Sequence, residues 1–95
     1  MARSRLFHLS PRYNRVRIQR EGLDPACSQG AKAWLWLCKS ELLTWALFHV
    51  AKHHSCRVSD MDFWEVLTPE SDLLKGRSGI FRSCKRIGPD SLRLL

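Results

Sequence analysis

Four side chains in the middle of the chain carry the donor atoms that transition metals prefer: Cys38, His49, His53 and Cys56. His49 and His53 stand four apart, the spacing that puts two imidazoles on one face of a helix. Cys56 follows three residues later, so a helix with a thiolate just past its end would offer a zinc ion three ligands. Cys38 cannot join them: on an unbroken helix it lies about 16 Å from His49, too far for one ion. No carboxylate occupies a motif position, and so short a pattern arises by chance. The simpler reading is a core-face histidine with solvated neighbours at a helix end. No resident metal or other cofactor is expected, and His49, His53 and Cys56 are the residues that would hold a metal if one bound.

A second chemistry is anion recognition. Arg3, Arg5, Arg12, Arg15, Arg17 and Arg20 all precede the first acid, Glu21. Asp60, Asp62, Glu65, Glu70 and Asp72 form an acidic block, and Lys75, Arg77, Arg82, Lys85 and Arg86 follow with no acid among them. The net charge is +7. Guanidinium forks match phosphate oxygens, so this distribution points to an anionic partner, either nucleic acid or an acidic lipid surface. The residues expected to contact it are Arg12, Arg15, Arg17, Arg20, Arg82, Lys85 and Arg86, with Tyr13 placed to stack on a base. The same acid-free start, with Leu6, Phe7 and Leu9, has the composition of a mitochondrial presequence, although Pro11 limits the amphipathic helix such a leader needs.

Catalysis finds little support. The sequence has no glycine-rich phosphate loop, no GxSxG elbow and no HExxH. Cys56 lies near His53 and His54, but nothing marks an oxyanion hole beside them. A non-enzymatic protein is expected.

The elements that position these residues can be read coarsely. From 31 to 54 neither Pro nor Gly interrupts, and Leu35, Cys38, Leu42, Trp45 and His49 step by three and four along one helical face. This predicts a long apolar helix over 31–54, ending where His53 and His54 meet the negative end of the helix dipole. As a membrane span it is disfavoured. Its strong lipid formers contribute about −2 to −4 kcal/mol, and Lys39 alone costs about +2.5 to +3.5 kcal/mol. Glu41 adds a similar cost and, two residues away, cannot pair with Lys39. The helix is apolar nearly all round, so its surplus surface would take a protein partner, a second copy or a bilayer surface.

Two short helices are predicted at 60–67, behind Ser59 as cap, and at 69–75, opened by Thr68-Pro69 and stopped by Gly76. The fold class is therefore mainly α with irregular basic termini. The chain divides into a basic arm (1–23), a small helical region (24–76) and a basic tail (77–95) that holds at most one short strand. Within the arm, "RVRIQR" alternates charge with Val16 and Ile18 and suits an extended segment. Four widely spaced cysteines and no apolar run in the first nine residues suggest free thiols in an intracellular, non-secreted chain.

The function expected from all this is a small basic binding protein that meets an anionic partner through its arginine-rich termini. One alternative is a membrane-associated protein anchored by helix 31–54. Another follows from composition. Leu, Ser and Arg, the residues with the most codons, fill 35 of 95 positions, and Arg outnumbers Lys by 11 to 5. A recently arisen or unselected reading frame with no defined biochemical activity would look like this.

Overall fold

The computed structural model describes residues 5–24, 35–67, 73–75, 79–83 and 85–95. Six strands organise these residues. Leu6–Pro11 (β1), Leu35–Lys39 (β2), Met61–Val66 (β3), Leu74–Lys75 (β4), Ile80–Ser83 (β5) and Leu92–Leu94 (β6) pair antiparallel into one sheet of order β4-β5-β2-β1-β3-β6. Two helices complete the fold, Arg15–Glu21 (α1) and Leu43–His53 (α2).

β1 is central, and five of its six residues are buried because both of its faces are covered. One face carries Leu6, Leu35, Leu37, Trp64, Val66 and Phe81. It is closed by Ile18 of α1 and by Leu23 and Ile87. The other carries Phe7, Leu9, Cys38 and Met61 beneath Ala46 and Ala51 of α2. Successive residues of one strand thus feed two cores.

This architecture corrects the mainly helical expectation. The fold is α/β, and the predicted helix 31–54 does not exist as one element. Leu35–Lys39 is a strand, Ser40–Leu42 is a single 3-10 turn, and only Leu43–His53 is α-helical. An uninterrupted apolar run does not by itself distinguish a buried strand from a helix. Here pairing on both sides decides: β2 bonds to β1 and to β5. The helical face traced through Leu35 and Cys38 is accordingly split, with Leu35 in one core and Cys38 in the other. Among the described residues no helix is long and apolar enough to cross a membrane, which removes the proposed anchor. Part of the surplus apolar surface remains, since Trp36, Trp45 and Phe48 are each more than half exposed.

The helix predicted over 60–67 is a 3-10 turn at Val58–Asp60 followed by β3. Asp62 and Glu65 look like solvated helix positions, yet both are buried. Of the helix predicted over 69–75, the start lies outside the described residues, including Thr68-Pro69, and its end is the strand β4, paired with β5. The described parts of the termini are not irregular. The first 23 residues contribute β1 and α1, and "RVRIQR" is helical rather than extended, with Ile18 as its one buried side chain. Residues from 80 onward contribute β5 and β6.

The buried carboxylates persist because arginines from the start of the chain reach them. Arg5 pairs with Glu65. Arg15 donates twice to Asp62, through Nε to Oδ2 at 2.9 Å and Nη2 to Oδ1 at 2.6 Å. Asp62 is almost fully enclosed, whereas the Arg15 side chain keeps 38% of its surface in solvent. The two deletions are therefore unequal. Arg15→Ala leaves a carboxylate buried without its cation, while Asp62→Ala leaves a guanidinium that water can reach. Urea unfolding is expected to show a larger loss for Arg15→Ala than for Asp62→Ala, and the double variant should recover part of the Arg15→Ala loss. Equal losses would mean that Asp62 is solvated.

Candidate functional site: a histidine-lined cavity

β1 runs beside β3 for its whole length, from Leu6↔Val66 to Pro11↔Met61, but pairs with β2 only at Leu6↔Lys39 and Phe7↔Cys38. Beyond Phe7 the two strands part. The opening is a cavity of about 520 Å³. Its walls come from the separated strands, from α1 and the Gly22–Asp24 segment, and from α2. Leu9, Ile18, Leu35, Leu37 and Val50 make it largely apolar. Trp36 and Trp45 border it while remaining about half exposed, which places them at its rim.

All four histidines of the chain, His8, His49, His53 and His54, line this one cavity. His8 spans the gap between the parted strands: its Nδ1 donates to the carbonyl oxygen of Trp36 at 3.0 Å. A carbonyl only accepts, so Nδ1 carries the proton and Nε2 is left as the acceptor nitrogen of the neutral ring. His49 stacks on Trp45, with ring centroids 4.9 Å apart. His53 and His54 meet edge to face at 5.3 Å. The Nδ1 of His54 is buried with no hydrogen-bond partner among the described residues.

Burial sets the charge state of the site. Desolvation holds the His8 pKa below the ordinary imidazole value; the bond to Trp36 opposes this and repulsion from His54 adds to it. His54 is lowered by desolvation and then by His53. Both rings are therefore neutral at neutral pH. Cys38 also lines the cavity, and burial pushes its thiol up to about 11, so it is protonated and a poor nucleophile.

The shifts carry a stability consequence with a definite sign. In the unfolded chain both imidazoles regain the ordinary value of 6.5. Below that pH the unfolded state binds more protons than the folded one, so stability is complete above 6.5 and declines as pH falls toward the folded values. The urea midpoint should drop between pH 7.5 and pH 5, and the drop should be smaller in His8→Phe. An identical drop in the variant would show that His8 titrates normally.

The residues singled out from sequence are dispersed. Among the seven cations, Arg12 donates to the Ser59 carbonyl, Arg15 binds Asp62, and Arg86 donates through both Nε and Nη2 to the Glu21 carbonyl. Arg82 lies over the Trp36 ring at 5.7 Å. Arg17 borders the cavity, and Arg20 and Lys85 are exposed. Of the metal candidates, His49 and His53 reach the cavity, whereas the Cys56 thiol donates to the His54 carbonyl. Among the described residues no group of three His, Cys, Asp or Glu is arranged to hold a metal ion.

Sequence reasoning missed His8 and Trp36. A usable signal existed for His8, since it sits at the strand position between Leu6 and Ser10, on a face otherwise turned into the core. Comparison of the chain with protein-family models, curated proteins and solved structures found no match in any of the three.

Proposed function

We propose that this chain is a non-enzymatic binding protein that holds one small, largely apolar molecule in the cavity between β1 and β2. The observation that carries this reading is the convergence of all four histidines on a single apolar cavity with two tryptophans at its rim. A concave, mostly apolar site with a few converging polar groups is the usual form of a small-molecule pocket. Binding is favoured over catalysis because the nucleophile types in the wall are unactivated. Cys38 is protonated, and the Ser10 hydroxyl accepts from Trp64 Nε1 at 3.2 Å rather than engaging a histidine.

The test uses 1-naphthol, which is uncharged at neutral pH. It should bind saturably with one-to-one stoichiometry, change the fluorescence of Trp36 and Trp45, and raise the unfolding temperature. At a hundred times its Kd the gain is about 2.7 kcal/mol. Val50→Trp, which fills the cavity from α2, should abolish binding while the variant still unfolds cooperatively. Absence of saturable binding to the native chain would remove the reading.

The net charge and the placement of Arg17 and Arg20 one turn apart on α1 favour a second reading, contact with an anionic partner. Binding of nucleic acid or acidic vesicles should then weaken steeply with salt and fail in an Arg17→Ala, Arg20→Ala double variant. Salt-insensitive binding would count against it.

A further inference from the structure

The cavity reading leaves the chemistry of the ligand open, and the orientation of His8 narrows it. Its Nδ1 proton is committed to the Trp36 carbonyl, so the ring is left with Nε2 as an acceptor in a cavity whose lining is largely apolar. The opposite wall adds His54, whose Nδ1 is buried and unpartnered among the described residues. At the rim, His49 covers one face of Trp45, and Trp36 is half exposed, so the entrance offers aromatic faces. We propose, resting on that cavity reading, that the site selects an uncharged aromatic molecule bearing one O–H or N–H donor, of the phenol or azole class, with the donor received by His8 Nε2.

The alternatives fit the walls less well. A carboxylate would meet neutral His8 and His54, and although Arg17 borders the cavity, Asp24 lines it too and repels a second negative charge. A cation would meet Asp24 but also Arg17, so the formal charges of the lining balance and favour neither sign. A hydrocarbon with no donor would fill the volume and leave the imidazole nitrogen desolvated without a partner, which costs free energy.

Three naphthalenes of similar shape separate these cases by titration calorimetry on the native chain at pH 7.5: 1-naphthol, 1-methoxynaphthalene and 1-naphthoate. The proposal expects 1-naphthol to bind about tenfold more tightly than 1-methoxynaphthalene, which is about 1.4 kcal/mol, and 1-naphthoate to bind least. In His8→Phe the first two should bind alike. Equal affinity of the native chain for naphthol and its methyl ether would overturn the assignment and leave the cavity standing. Tightest binding by the naphthoate would overturn it in favour of an anion site. If none of the three binds, the cavity reading and the inference built on it fail together. The comparison on the native chain decides the matter even if His8→Phe does not fold.

Discussion

Trp64→Ala is expected to lower stability by about 3 to 5 kcal/mol, a large share of the 5 to 15 kcal/mol typical of a domain. Trp64 is 2% exposed and packs in one core cluster with Leu6, Leu37, Val66 and Phe81. It stands opposite His8 across the β1–β3 pair and donates its indole N–H to Ser10 on the same strand. Truncation would therefore open a cavity at the centre of the sheet and remove a buried hydrogen bond at once. Trp64→Phe keeps most of the ring volume and should lose far less. Circular dichroism against urea separates the three proteins. A loss for the alanine variant below about 1 kcal/mol would mean that this side chain is not in a core. A chain with no defined fold would have no cooperative transition to shift.

Gly22→Ala should come close to the same effect through the backbone. Gly22 has φ 80° and ψ −163°, a region that residues with a side chain almost never enter. A Cβ there would lie 2.1 Å from the Ile87 carbonyl oxygen, and backbone cannot swing aside as a flexible side chain can. That oxygen accepts from Leu23 N–H at 2.8 Å, while Ile87 N–H donates back to Leu23 at 2.9 Å. The strain alone costs about 1 to 3 kcal/mol, and relieving it would pull Leu23 and Ile87 out of the core. Amide exchange at these two residues should speed up in the variant. Gly88→Ala is the control: its φ is −66°, and a Cβ meets nothing within 4 Å, so its stability should be unchanged. Equal behaviour of the two variants would contradict the close approach at Gly22.

How much of this could be read from the chain depends on where each determinant lies. The helix at Leu43–His53 is local, marked by a Trp45–His49 pair at i and i+4, but the single helix expected over 31–54 is overturned, since Leu35–Lys39 is a strand. β2 was not. "LWLCK" has no polar alternation because its exposed position is held by the apolar Trp36, and only its neighbours β1 and β5 make it a strand. β3 was hidden by its own acids. Asp62 and Glu65 interrupt the apolar pattern, and the arginines that let them be buried come from 47 and 60 residues away. The same long-range pairing explains why the basic start of the chain looked like a free arm.

The candidate site was half visible. His49 and His53 stand out by their spacing, but the metal chemistry they suggest needs a third ligand that does not arrive among the described residues. What arrives is His8, brought from the other end of the chain by the β1–β2 pairing and set beside the cavity by the parting of those strands after Phe7. No local pattern encodes that meeting.

The nitrogen resonances of His8, followed by long-range proton–nitrogen correlation across a pH titration, test the account most directly. At pH 7.5 a neutral ring protonated at Nδ1 with Nε2 bare is expected, and a midpoint below the ordinary 6.5. A ring protonated at Nε2, or one titrating at 6.5 like a free imidazole, would contradict it, because His8 would then not be a buried ring donating to the Trp36 carbonyl, and the acceptor on which the proposed site rests would be missing.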